Sequence, residues 1–142
     1  MLSRQSVGEF LAALGARTPA PASGSAVALT AALGAALAEL AARFAGDEEA
    51  AARAQALARR LVELADEDAA AYTAFMADRN DETRLRIIAV PEEVATRAGE
   101  IEELAKSLQG RLSTSVAGDV EAAVELSAAA ARAARRLAQI NA

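Results

Sequence analysis

Apolar positions crowd one stretch of the chain and set the rhythm of the rest. Between Ala26 and Ala42 the only polar side chains are Thr30 and Glu39. A helix apolar on nearly every side has no face for water, so this stretch predicts a central helix, Ala26 to Phe44, with others packed round it. Its residues are mostly alanine and Gly34, which let neighbours approach toward the short end of the usual interaxial range, about 8 Å. The run is interrupted by Glu39, ends at Arg43 and is richer in alanine than in leucine. It therefore reads as a buried core helix and not as a membrane span.

The segments on either side are amphipathic. Ser6 and Glu9 have capping-box spacing, and Val7, Phe10, Leu11 and Leu14 share one face of a short first helix that Gly15 ends. Pro19 and Pro21 keep Thr18 to Ser25 out of helix, and Ser23 or Ser25 is placed to cap the central one. After Gly46, the acids Asp47, Glu48 and Glu49 suit the start of a long helix reaching about Ala77. Its inner series is Ala50, Ala54, Leu57, Leu61, Leu64, Ala71 and Phe75, with Asp68 as the polar exception. Asp78 to Glu82 reads as loop and Thr83 to Ala89 as a short helical piece. Pro91 fits the first position of a further helix, with Val94, Ala98, Ile101, Leu104, Ala105 and Leu108 inward and Gly110 as its stop. The last helix starts near Ser115, and its expected inward series is Asp119, Ala123, Leu126, Ala130, Ala133, Leu137 and Ile140. Together these give one all-α domain, residues 1–142, a bundle of about five helices around the central alanine-rich one.

Composition narrows the chemistry. The chain has 142 residues, 54% of them hydrophobic and 3% aromatic, a mix that favours helix over strand. It has no Cys, which excludes thiol chemistry and disulfides, and no His, which removes the usual general base and the commonest metal ligand. Acid–base work would fall to Asp, Glu, Lys or Tyr. A net charge of −5 argues against a nucleic-acid partner. The start, Met1 to Ser6, lacks the apolar core of a signal peptide, and a cytoplasmic location is expected.

Asp68 and Asp119 are the two acids on otherwise apolar stripes. If their helices lie side by side they share a polar pocket, where a buried carboxyl with a raised pKa can move protons without histidine. Each also has a plain structural reading: an ion pair with an Arg of another helix for Asp68, an N-cap or first-turn charge for Asp119. The loop Ser23-Gly24-Ser25 has the makings of an anion site at a helix N-terminus, although no Gly-Lys-Ser/Thr follows as in a P-loop, and capping is the competing role. Tyr72 and Phe75 read as core packing.

The motifs together resemble the cyclodeaminase/cyclohydrolase family. It includes the cyclodeaminase domain of formiminotransferase-cyclodeaminase and bacterial methenyltetrahydrofolate cyclohydrolases. Phe10-Leu11, then Pro19-Ala20-Pro21-Ala22-Ser23-Gly24-Ser25, then the alanine-rich helix resemble the family's Phe-Leu, Pro-Ala-Pro-Gly-Gly-Gly-Ser and Ala/Gly-rich helix. Asp68-Ala69-Ala70-Ala71-Tyr72 is similar to its mid-helix Asp-x-x-Ala-Phe. Gly118-Asp119 and Ile140-Asn141 align with its Ser-Asp and its closing Ile-Asn. The chain departs from the family at named places. Ala22 and Ser23 replace two loop glycines, and Asp47-Glu48-Glu49 stands where a basic stretch carries a lysine implicated in catalysis. Arg84 to Ala89 is all that remains of a segment with a functional glutamine. Leu137 replaces the first C-terminal Asn, and the Gly-Asn before the Ser-Asp motif is missing.

The resemblance implies a homodimer acting on a tetrahydrofolate derivative, with no metal or redox cofactor. The reaction would be hydrolysis of methenyltetrahydrofolate, or cyclisation of formiminotetrahydrofolate with loss of ammonia. Asp119 and Asp68 would handle protons, while Ser23, Gly24, Ser25 and Asn141 would hold substrate. The alternative is a non-catalytic bundle of the same family that binds a small molecule or partner. A cleft holding Asp119 with Arg84 or Arg86 in reach would favour the enzyme.

Overall fold

In the computed structural model, which describes residues 1–142, the chain is all helix with no strand. A 3₁₀ turn, Leu2–Arg4, precedes α1 (Val7–Gly15), α2 (Ser23–Phe44), α3 (Glu48–Ala77), α4 (Asp81–Leu108) and α5 (Thr114–Asn141). Helices α2 to α5 run alternately up and down the bundle, and α2 packs against each of the other three. The ends are registered by polar contacts. Arg111, before α5, pairs with Asp47, before α3, at 3.3 Å. The Asn141 amide donates to the Ile87 carbonyl at 2.9 Å at the opposite end.

Local chemistry explains most boundaries. Ser6 accepts from the Glu9 N–H at 3.0 Å and Asp47 from the Ala50 N–H at 3.0 Å, each satisfying a free first-turn donor. A full capping box forms at Asn80 and Thr83, at the start of α4. Gly46 and Gly110 take φ of 72° and 78°, the left-handed turn that ends α2 and α4. The core is built of alanine faces with Leu61, Leu64, Val94, Ile101 and Leu108 as the largest buried apolar side chains. Arg60 ties α3 to α4 with two 2.8 Å bonds to Glu93, and a 2.7 Å bond to Glu67 holds it within α3.

Four expectations are corrected. Neither Ser23 nor Ser25 caps α2; Ala22 holds the cap position, and the buried Ser25 hydroxyl donates to the Ala65 carbonyl of α3 at 2.7 Å. The segment Thr83–Ala89 and the helix after Pro91 are one helix, α4, with Pro91 inside it. On α5 the buried line is Val116, Val120, Ala123, Val124, Ser127, Ala130, Ala131, Ala134 and Ala138, and Ile140 faces solvent. The smallest side chains take the closest approach to α2, and the bulkier Leu126 and Leu137 flank it, half-buried. Finally, α2 is not enclosed on all sides. It is long and apolar enough to cross a bilayer, and half of its most apolar window is buried in the bundle. Leu33, Leu40 and Phe44 remain exposed along one stripe.

Pro91 has no N–H, so the Ile87 carbonyl four residues earlier loses its helical donor. The Asn141 side chain supplies that donor from α5. Replacing Asn141 by Ala is expected to lower unfolding stability by about 1–2 kcal/mol, through an unpaired, partly buried carbonyl. In a Pro91→Ala background, where the backbone bond can re-form, the same replacement is expected to cost less than half as much. Denaturant unfolding of the four proteins measures the coupling, and equal costs in both backgrounds would refute this role.

Candidate functional site

The N-terminus of α2 meets the middle of α3. Ser25 is anchored on Ala65, one turn before Asp68. Gly24 lies so close to Asp68 that any Cβ at this position would overlap the carboxylate. Only glycine permits that approach. The loop keeps one glycine where the family pattern has three, and that glycine is the one in contact with the acid. Asp68 is half-buried and accepts no hydrogen bond, and none of the chain's salt bridges involves it. Burial pushes its carboxyl from the ordinary 3.8 up to about 6. A carboxyl in this range exchanges a proton readily near neutral pH. The first-turn N–H groups of α2 lie beside it, a setting that also favours a bound anion.

Other groups share this end of the bundle. Asp68, Tyr72, Phe75 and Arg79 follow one another along α3 at intervals of four, three and four, which places them on one face. Phe75 carries the Arg79 guanidinium at 5.3 Å and the Arg84 guanidinium at 5.9 Å from its ring centre. Tyr72 and Phe75 also pack on the core, as their sequence positions suggest. Sequence reading missed this aromatic–guanidinium group. The four-residue interval from Phe75 to Arg79 was the available signal.

The remaining predicted site residues are elsewhere. Asp119 lies on the sixth residue of α5, past the cap at Ser113, with no hydrogen-bond or ion-pair partner. Gly34 of α2 faces Ala123 and Ser127 of the antiparallel α5. By helical rise, Asp119 therefore sits on the order of 20 Å or more from Gly24 along the bundle axis. The expectation that Asp68 and Asp119 share a pocket does not hold within one chain: they sit near opposite ends of α2. Asn141 is at the Asp68 end, but its amide is committed to Ile87. Ser23 is exposed and makes no side-chain hydrogen bond. Neither acid lines any of the three principal grooves. The largest, about 880 Å³, runs between α1 and the α2–α3 face and is mostly apolar.

An acid whose pKa rises on folding holds its proton more tightly in the folded chain. Its contribution to stability is therefore greatest at low pH. That contribution declines as pH climbs from about 4 toward 6 and stays at a constant penalty above. Asp68→Asn is expected to stabilise the protein at pH 7–8 by about 1–3 kcal/mol. It should also flatten the stability profile between pH 4 and 6. Thermal unfolding across pH measures both, and an Asn variant less stable than wild type at pH 8 would contradict the assignment.

Residues 6–142 match the family model described as formiminotransferase-cyclodeaminase. No curated protein matches the chain. The match takes in every helix, and it includes Asp68 and the Gly24 loop that receives it. The chain belongs to the formiminotransferase-cyclodeaminase family.

Proposed function

We propose that the protein is a folate one-carbon enzyme whose proton-handling group is Asp68. The substrate is methenyltetrahydrofolate, hydrolysed to the formyl compound, or formiminotetrahydrofolate, cyclised with loss of ammonia. The observation that carries the reading is a carboxyl raised to about 6, held against Gly24 at the N-terminus of α2. In the hydrolytic direction, Asp68 accepts a proton from the water that adds to the one-carbon unit. It returns that proton to the nitrogen that leaves as the C–N bond breaks, while the adduct's hydroxyl proton is released to solvent as the formyl carbonyl forms. In the cyclising reaction the second folate nitrogen bonds to the formimino carbon and gives its proton to Asp68, which delivers it to the nitrogen that departs as ammonia. Gly24 and Ser25 offer backbone N–H groups to a polar edge of the substrate. Arg79 and Arg84, facing Phe75, suit a carboxylate carried further out on it. The reading uses no metal or redox cofactor. It takes the protein to be a cytoplasmic homodimer without nucleic-acid or membrane partners.

The non-catalytic reading draws on a different observation. Asp119 stands apart and Asn141 is occupied in a structural bond, so two of the family's matching positions do not join Asp68 in the single chain.

Loss of methenyltetrahydrofolate absorbance, and release of ammonia from formiminotetrahydrofolate, separate the two readings. Wild type is expected to exceed the spontaneous rate in one of them. Asp68→Asn should lose about 10²-fold or more of the enzymatic excess. Gly24→Ala, which forces the carboxylate to turn away, should lose most of it with the helical content unchanged. Asp119→Asn should keep it. Wild type equal to buffer in both assays would favour the non-catalytic bundle.

A further inference from the structure

Tyr72 stands one turn beyond Asp68 on α3, and the fold does not use its hydroxyl. The residue is half-buried, with its ring packed against the core. The hydroxyl makes no hydrogen bond, in contrast to the neighbouring Thr73, which donates to the Ala69 carbonyl at 2.9 Å. Nor is it sealed in: Arg97 Nε is the one buried side-chain nitrogen or oxygen left without a partner. The Tyr72 hydroxyl therefore reaches solvent from a base held in the core. Asp68 is placed in the same way, half-buried, unpartnered and still partly open to water. Residues four apart on a helix have Cβ atoms about 5–6 Å apart, and long side chains lean back toward the helix N-terminus. The Tyr72 ring thus leans over the turn that carries Asp68, and the two free polar heads open on the same space.

Other side-chain donors near this acid are engaged or remote. The chain has no His, and its single lysine, Lys106, is held by Glu102 at 2.7 Å in the last turn of α4, toward the far end of the bundle. The Ser25 hydroxyl is committed to Ala65 and the Asn141 amide to Ile87. Arg79 and Arg84 lie against Phe75, further along α3. Ser23 is free but exposed, where water competes for its hydrogen bond. A donor fixed in a partly dry site stabilises developing charge more than one in open water, and Tyr72 is the half-buried donor that remains free.

We propose that Tyr72 is a second catalytic residue, the hydrogen-bond donor to the oxygen of the hydrated one-carbon unit, and that it commits the site to hydrolysis. When water adds to methenyltetrahydrofolate and gives one proton to Asp68, the adduct carries a hydroxyl. As the C–N bond breaks, that hydroxyl releases its proton to solvent and negative charge gathers on the oxygen. The Tyr72 O–H donates to this oxygen and keeps its own proton throughout. The cyclising reaction forms no such oxygen, because its adduct carries only nitrogen on the reacting carbon. The inference rests on the folate reading and narrows it to a cyclohydrolase.

Tyr72→Phe removes one oxygen and keeps the packed ring, so its helical content and melting temperature should stay close to wild type. In the methenyltetrahydrofolate assay kcat should fall on the order of 10²-fold with KM within about two-fold, because the bond strengthens only as the adduct collapses. Tyr72 is the only tyrosine, so growth on fluorotyrosine labels it alone. Its fluorine resonance should move, and then saturate, as 5-formyltetrahydrofolate, a stable formyl folate, is added. Hydrolysis by Tyr72→Phe within about three-fold of the wild-type kcat overturns the inference and leaves Asp68 in its role. So does a resonance that stays still at millimolar folate, or a wild type that releases ammonia from formiminotetrahydrofolate but does not hydrolyse the methenyl compound. A purely structural phenol would lower the melting temperature and leave kcat per folded molecule unchanged, which also overturns it. A wild type inert in both assays removes the inference together with the reading it rests on.

Discussion

Close packing of small side chains along α2 is the constraint on which the rest of the structure depends. Alanines at 28, 31, 35, 38, 41 and 42 have no exposed surface, and they let three helices pack against one side of a fourth at short range. Each such contact contributes little dispersion energy, so the bundle relies on the length of its seams rather than on a few large residues. The same packing sends larger apolar groups to the margins. Leu33, Leu40 and Phe44 of α2 and Ile140 of α5 stand outside the alanine seams and remain exposed. An alanine core and an apolar exterior stripe therefore have one origin.

The candidate site follows from that packing too. Because α2 approaches α3 closely at its start, Ser25 can bond the Ala65 carbonyl, and the backbone at Gly24 can touch Asp68. The contact shields the carboxyl from water without giving it a partner, and this raises its pKa. The energetic cost falls on one residue of a long helix that is otherwise well supported, by the Arg60–Glu93 pairing among others. A cost to folding borne at one carboxyl is a common mark of a group placed for chemistry.

The helices, and the acid that interrupts the α3 series, were legible because both depend on local periodicity. The family was legible in the Pro19–Ser25 loop and in Asp68. What could not be read depended on long-range partners. Pro91 looked like a helix start because an interior proline leaves a carbonyl unpaired. Only the arrival of Asn141 from the far end of the chain removes that objection. The α5 stripe was read one position out of phase because Leu outranks Ala in hydrophobicity, while an alanine-lined core selects for size. Asp119 looked like a companion to Asp68 because both interrupt apolar stripes, and the antiparallel course of α5 beside α2 separates them.

The central claim is that Asp68 is a carboxyl tuned by its contact with the N-terminus of α2. A carbon-detected NMR titration of the Asp68 side chain tests it without reference to substrate or assembly. The account predicts a midpoint of about 6. It also predicts a lower value in Gly24→Ala, where the added methyl group turns the carboxylate toward water. A midpoint in wild type at the ordinary 3.8, unmoved by that substitution, would contradict the account.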